Sequence, residues 1–108
     1  MSHPRHELDP VIHLPVRFSI VAALSGVERV EFQFIRDTVE ISDSLLSQHV
    51  TTLEQAGYVR VSKRKAGRRT KTWLSLTPKG QAAFNHHLAV LNQIAAPLAA
   101  GREVTEGT

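Results

Sequence analysis

Hydrophobic residues recur every three or four positions in two stretches of the first part of the chain. The first stretch follows Pro15, a residue suited to the first turn of a helix, and ends at Gly26, which can stop one. The second stretch occupies residues 32–39 and places its polar side chains on the opposite side of the helix. A very short strand is predicted at residues 30–32. The apolar positions that define the two helices are Val16, Ile20, Ala23 and Leu24, then Phe32, Ile35 and Val39.

A third helix is predicted at residues 42–56 and has the clearest boundaries. Ser42 is a good N-cap residue, and Gly57 provides a C-terminal stop. Ile41 and Leu46 occupy the positions of a hydrophobic staple, which fixes the angle at which the chain enters the helix. One face of this helix is apolar, and the opposite face carries small, neutral, hydrogen-bonding side chains. The residues of that polar face are Ser44, Ser47, Gln48, Thr51 and Gln55.

Two β-prone runs follow, at residues 58–63 and 70–76, and a basic segment that contains a glycine separates them. This pattern predicts a β-hairpin with a charged tip. Alternation along the second strand places Leu74 on one face and Trp73 on the other. We interpret Trp73 as a partly buried packing residue.

The last predicted helix begins at a specific signal, because Thr77 is a good N-cap residue and Pro78 suits the first helical position. The helix is expected to run to about Ala96, with Pro97 limiting its further extent. Its apolar residues follow a four-three-four-three spacing, which forms a seam longer than a compact core needs. The seam residues are Phe84, Leu88, Leu91, Ala95 and Leu98.

The charged residues are unevenly distributed along the chain. Residues 1–54 contain eight acidic and four basic side chains, whereas residues 55–102 contain nine basic and no acidic ones. Seven of those nine lie between Arg60 and Lys71, within the predicted hairpin. Such a segment either binds a polyanion or serves only as a solvated basic surface.

The predicted order of elements is helix, short strand, helix, tight turn, helix, hairpin and helix. This is the order of a winged helix-turn-helix, a mainly α fold with a small β-hairpin, here with an extended C-terminal helix. Short hydrogen-bonding side chains on a helix can read bases in the major groove of B-form DNA, and a basic hairpin beside it can reach phosphates or the minor groove. The predicted base-reading residues are Ser44, Ser47, Gln48 and Thr51, and the predicted backbone contacts are Lys63, Arg64, Lys65, Arg68, Arg69 and Lys71.

Two segments resemble bacterial transcriptional regulators of the MarR and ArsR families. Residues 42–59 (SDSLLSQHVTTLEQAGYV) resemble the recognition-helix segment, and residues 65–80 (KAGRRTKTWLSLTPKG) resemble the wing with the LTPKG junction common in MarR-like proteins. The resemblance extends over about residues 10–91. It implies that the third helix enters the major groove, that the wing holds the adjacent backbone, and that the terminal helices join two copies into a homodimer. It further implies transcriptional regulation, with repression as the expected sense.

The length of 108 residues suits one domain rather than two. Residues 9–80 are predicted to form the DNA-binding domain, and residues 81–100 the C-terminal dimerisation helix. Residues 1–8 and 101–108 show no pattern that could pack, so we expect both ends to be mobile.

Six histidines raise the possibility of a metal or acid-base site. His3 and His6 lie in the N-terminal end, His13 stands alone, and His86 and His87 point about 100° apart on a helix. We therefore predict no metal ion and no cofactor. The serines of the third helix have no nucleophile elbow, base pattern or oxyanion glycine beside them, so an enzyme is not expected.

Two alternatives stay open from the residues alone. His49 stands at the edge of the apolar stripe of the third helix, where it can pack in the core or contact a phosphate. Winged helices also serve as protein-interaction modules that do not read DNA. A docking hairpin usually presents apolar anchors, whereas residues 63–69 contain five bases, which favours double-stranded DNA as the partner.

The remaining expectations concern effectors and compartment. MarR-like proteins with an effector cleft carry further terminal helices, so a small-molecule effector is not supported by this shorter chain. The absence of cysteine fits a reducing compartment. Residues 11–24 are interrupted by polar residues and fall short of the roughly 20 apolar residues that span a bilayer. The first residues lack a secretory pattern, so we expect a cytoplasmic protein with no membrane partner.

Overall fold

A computed structural model describes residues 2–100, and the side chains of residues 2–96. The predicted order of elements is confirmed, and a short 3₁₀ helix at Pro4–Glu7 precedes it. The last helix continues beyond the predicted end at Ala96, because a proline removes one backbone donor without obliging a helix to stop. The elements are α1 (Pro15–Leu24), β1 (Val30–Glu31), α2 (Phe32–Val39), α3 (Asp43–Gln55), β2 (Val59–Ala66), β3 (Arg69–Leu76) and α4 (Pro78–Ala100).

The three strands form one antiparallel sheet with β3 in the centre, in the order β1-β3-β2. Leu74 of β3 pairs with Val30 on one side and with Val61 on the other. Gly67 and Arg68 form the two-residue connection between β2 and β3, and Gly67 has a φ of 67°. A glycine at the first position of such a loop suits a turn whose twist matches the flanking strands.

The hydrophobic core lies between the helices and one face of the sheet. Leu74 is fully buried there, whereas the far end of the hairpin extends beyond the core with every side chain from Lys63 to Lys71 exposed. The hairpin is thus anchored at its base and free at its tip. The core residues are Ile20, Val21, Leu24, Ile35, Leu46, Val50, Leu53, Val59, Leu74 and Phe84.

The turn between α2 and α3 is held by three local features. Glu40 ends α2 in the left-handed region, with a φ of 64°. The Ser42 hydroxyl accepts a hydrogen bond from the Leu45 amide at 3.2 Å, which confirms the predicted N-cap. Arg36 of α2 then bonds the Asp43 carboxylate at the start of α3, at 2.9 Å. These contacts fix the direction of α3 relative to α2.

The N-terminal segment packs on α4, although its sequence shows no packing pattern. The Pro4–Glu7 helix lies against α4, and Glu7 approaches the His86 ring at 3.6 Å. The Tyr58 hydroxyl donates a hydrogen bond to the Asp9 carboxylate at 2.5 Å. These two contacts lie 49 or more residues apart in the chain, so no local pattern could have indicated them.

Candidate nucleic-acid interface

The outer face of α3 presents the side chains that the sequence predicts to read bases. Ser44, Ser47, Gln48 and Thr51 are all exposed on this helix. The opposite face is fixed in the core. Leu46 and Leu53 are fully buried there, and Val50 between them is only 5% exposed. Because the buried face holds the helix in place, the polar face has a defined direction.

A groove runs between α3 and the hairpin, and both elements contribute polar side chains to it. Ser47 and Thr51 line the groove from α3, while Lys63 and Thr72 line it from β2 and β3. Two of the predicted base-reading residues and one of the predicted wing residues therefore meet along one concave surface. Two acidic residues also line it: Asp43, whose carboxylate is bound by Arg36, and Glu54.

The strand register divides the basic residues of the hairpin between two faces. Residues directly opposite in an antiparallel pair share a face, and successive residues alternate. Lys63 pairs with Thr72, so Lys63 lies on the same face as the core residue Leu74, two positions along β3. Arg64 pairs with Lys71 and therefore lies on the other face. The predicted wing residues are thus all exposed, but they do not form one flat cationic surface.

The face of the hairpin turned away from α3 is partly occupied by interactions within the protein. Lys71 Nζ lies 4.0 Å from a carboxylate oxygen of Glu31. The Arg29 guanidinium stacks over the Trp73 ring at 4.4 Å from its centre, which is a cation-π contact. Trp73 is half-buried, as expected of a packing residue. No such partner is found within the protein for the tip residues Arg68 and Arg69 among residues 2–96.

His49 lies on the inner side of α3, beside α1. It is half-buried, and its Nδ1 lies 3.4 Å from Nη1 of Arg17. Burial, and then the nearby Arg17 charge, lower the pKa of His49. Arg17 also donates a hydrogen bond to the Val11 carbonyl at 2.5 Å. Of the two alternatives open from the sequence, this geometry favours packing between α3 and α1.

The predicted seam on α4 is divided between the core and the surface. Phe84 is only 7% exposed and packs on the Phe18 ring, with 5.5 Å between ring centres, so it belongs to the core of a single protomer. Leu88 and Ala95 are exposed, and Leu91 is half-buried. Leu98 lies outside the residues whose side chains are described. The surface part of the seam thus consists of Leu88, Leu91 and Ala95.

The sequence did not indicate that His13 and His87 come together. His13 Nδ1 lies 3.3 Å from His87 Nε2, across 74 residues of chain. Between residues 2 and 96, no group of three or more potential metal ligands is found. In the described helices, none combines the length and the apolar character needed to cross a membrane.

Comparison with known proteins identifies the family. Residues 16–95 match the family described as a winged helix DNA-binding domain. An uncharacterized protein of Methanocaldococcus jannaschii is 33% identical over 79 residues, which cover 73% of this chain and 86% of that protein. The structure of a transcriptional regulator homologue from Pyrococcus horikoshii aligns with a TM-score of 0.82 and 23% identity over 91% of this chain and 98% of that one. AbsC, a MarR family transcriptional regulator from Streptomyces coelicolor, aligns with a TM-score of 0.65 and 25% identity over 88% and 68%.

The fold, the exposed polar helix face and the basic hairpin define a DNA-binding protein. The chain belongs to the winged helix DNA-binding domain family. The predicted fold class and the predicted likeness to MarR-like regulators are confirmed. Membership of this family places the chain among DNA-binding regulators of transcription and not among enzymes.

Proposed function

We propose that this protein is a sequence-specific repressor that binds double-stranded DNA as a homodimer. The observation that carries the proposal is the shared groove, in which Ser47 and Thr51 of α3 face Lys63 of the hairpin. Hydroxyl and amide groups discriminate base edges in the major groove, whereas lysine and arginine side chains hold the flanking phosphates. One concave surface with both kinds of group suits a duplex, because base edges form the floor of each groove and phosphates flank it.

In this arrangement α3 lies in the major groove and the hairpin extends along the adjacent backbone. The tip residues Arg68 and Arg69 lie at the exposed end of the hairpin. Among residues 2–96 no acidic partner neutralises their positive charge. They can reach a phosphate or enter the narrow minor groove. Lys63 and Lys65 lie on the face of the hairpin turned toward α3, from which they can reach the same DNA strand.

Two copies pair through α4 in this proposal, with help from the segment before α1. Leu14 is 37% exposed and Leu88 is 38% exposed, and Leu14 shares a surface groove with Leu91. Pro15 and Phe18 line the same groove, and a contiguous apolar surface of this kind is typical of an interaction site. A two-fold symmetric dimer presents two copies of α3 to half-sites about 34 to 36 Å apart, or a multiple of that spacing. We place this activity in the cytoplasm, as the sequence predicts.

Selection of bound duplexes from a random DNA pool tests the proposal as a whole. A near-palindromic consensus with regular half-site spacing is the expected result. Affinity for the selected site should fall steeply as salt rises, since phosphate contacts release counterions. Recovery of no enriched sequence, together with binding that is independent of salt, would exclude a DNA-reading function and leave a protein-interaction module.

Replacement of Gln48 by alanine should reduce discrimination between the selected site and random DNA. A bidentate contact from a glutamine to adenine contributes about 1 to 3 kcal/mol of discrimination, so the specificity ratio should fall between about fivefold and 150-fold. Binding to random DNA should change little. Gln55→Ala is a matched control, because Gln55 is an exposed glutamine at the last turn of the same helix. Equal losses on specific and random DNA would show that Gln48 does not read a base.

Replacement of Leu91 by aspartate should convert the proposed dimer into a monomer. A carboxylate at this position would lie in an apolar interface without a partner, and such burial is strongly unfavourable. Sedimentation equilibrium of the variant and the parent measures the change in mass. Asn92→Asp introduces the same charge at the next, exposed position of α4 and should leave the mass unchanged. An unchanged mass for the Leu91 variant would show that copies do not pair through this surface.

A further inference from the structure

A pair of histidines joins the segment before α1 to the long helix α4. His87 is 1% exposed and is the one buried polar or charged residue among those described. Its Nδ1 accepts a hydrogen bond from the Asp9 amide at 3.3 Å, and its Nε2 lies 3.3 Å from Nδ1 of His13. Both ring nitrogens of this buried imidazole therefore have partners on the N-terminal side of the chain.

Only one protonation state satisfies all of these contacts. A backbone amide can only donate, so His87 Nδ1 has to be the unprotonated nitrogen of the ring. The proton of neutral His87 is then on Nε2, which donates to Nδ1 of His13. A second proton on His87 would point an N–H group at the Asp9 amide, and a proton on His13 Nδ1 would point at the N–H of His87. Either proton would therefore break one of these partly buried hydrogen bonds.

The charged groups around the pair do not replace those lost contacts. Asp9 is the nearest carboxylate, but its Oδ1 accepts from the Val11 amide at 2.9 Å and its Oδ2 from the Tyr58 hydroxyl. His86, the neighbour of His87 on α4, faces Glu7 at 3.6 Å. From α1 the ring of Phe18 packs on His87, with 5.8 Å between ring centres, and adds no charge.

We propose that the His13–His87 pair is a pH-sensitive clasp that holds the N-terminal segment on α4 while His87 is neutral and releases it when His87 is protonated. The same segment makes a second long-range contact, because Asp9 also accepts a hydrogen bond from Tyr58, which lies between α3 and β2. Release would therefore loosen residues 4–13 from both α4 and the DNA-binding core.

The same pair borders the surface that we propose for dimerisation. His13 and His87 line one groove together with Leu14 and Leu91. Protonation would place positive charge at this surface in both copies, so acid should weaken pairing as well. This consequence rests on the proposed dimer, whereas the clasp itself does not.

The direction of the pH effect follows from the buried imidazole. Burial, and then the neighbouring His13, lower the pKa of His87 below its usual value of 6.5. The unfolded chain therefore takes up a proton at a higher pH than the folded one does. Stability from the clasp is fully present above about pH 6.5, and is lost as the pH falls from there toward the lower pKa of the folded protein.

Urea unfolding of the full chain between pH 7.5 and 5 tests the clasp without DNA. Uptake of one additional proton on unfolding changes the unfolding constant by up to tenfold per pH unit. The glutamine of His87→Gln cannot be protonated. Below pH 6.5 we therefore expect the unfolding constant of this variant to change less with pH than that of the parent, by up to tenfold per pH unit. His86→Gln removes the adjacent, exposed histidine and should keep the slope of the parent. Parallel slopes for the parent and the His87 variant would overturn the proposal.

Nuclear magnetic resonance of the parent protein provides a second test that needs no variant. The exchange protection of the Asp9 amide should fall as His87 titrates, because the protonated ring can no longer accept a hydrogen bond from that amide. An Asp9 amide that stays protected while His87 takes up a proton would also overturn the proposal. Because neither measurement uses DNA, a negative result here leaves the proposed DNA-binding function intact, and the reverse is equally true.

Discussion

Replacement of Gly80 by alanine should destabilise the protein by about 2 to 3 kcal/mol, although the same change in a helix is usually favourable. Gly80 lies in the first turn of α4 and is buried against the segment that joins α3 to β2. A Cβ atom built there would overlap the Tyr58 carbonyl oxygen and come within 2.8 Å of Leu76 Cδ1. The Tyr58 carbonyl cannot retreat freely, because it accepts a hydrogen bond from the Thr77 amide at 2.9 Å.

Urea or thermal unfolding measures this effect, and the melting temperature should fall by about 10 °C or more for a domain of this size. Ala82→Gly is the control, because it changes an exposed position two residues further along the same helix. It should cost only about 1 kcal/mol, from helix propensity alone. A Gly80 variant as stable as the parent would mean that α4 does not approach the Tyr58 backbone as closely as the structure has it.

The contact at Gly80 also gives a physical reason for the LTPKG junction. Thr77 Oγ1 accepts from the Gly80 amide at 2.9 Å and donates to the Gly57 carbonyl at 2.6 Å. One hydroxyl thus caps α4 and links it to the end of α3. Gly80 has no Cβ atom and so leaves room for the Tyr58 backbone. The sequence predicted the cap from Thr77 and Pro78. The second hydrogen bond and the close approach depend on tertiary packing and could not be predicted.

The predictable part of the protein is the part that local signals specify. The boundaries of α3 follow from an N-cap, a hydrophobic staple and a C-terminal glycine, all within a few residues of the helix. The polar face of α3 follows from helical periodicity, and the hairpin from two β-prone runs around Gly67. Each of these signals lies within the element that it specifies or directly beside it, so a single sequence contains them in full.

The unpredicted part depends on contacts between distant residues. The pairing of His13 with His87 spans 74 positions. The register of the hairpin decides which face carries Lys63 and which carries Arg64, yet the list of basic residues is the same for either register. Arg17, which connects α1 to His49 of α3, was absent from the predicted site because an isolated arginine in an apolar stretch gives no sign of its partner.

Loss of both tip arginines should produce the largest change in DNA affinity of any pair of substitutions in the hairpin. In the variant Arg68→Ala/Arg69→Ala, a dimer would lose up to four phosphate contacts. Since each contact contributes about 0.9 to the slope of log affinity against log salt, the slope should become shallower by about 4. At about 0.15 M salt this corresponds to an affinity lower by about a hundredfold to a thousandfold, on specific and random duplexes alike.

The control for this prediction has the same loss of charge elsewhere on the protein. Arg5→Ala/Lys79→Ala removes two exposed cations from the N-terminal 3₁₀ helix and the start of α4, so a general effect of net charge would appear in both variants. Fluorescence anisotropy over a salt series distinguishes them, with the control slope expected to stay near that of the parent. Equal slopes for the two variants would remove the hairpin tip from the DNA contact. A tip variant that changes sequence preference, rather than affinity alone, would instead place an arginine in the minor groove, because groove width there depends on sequence.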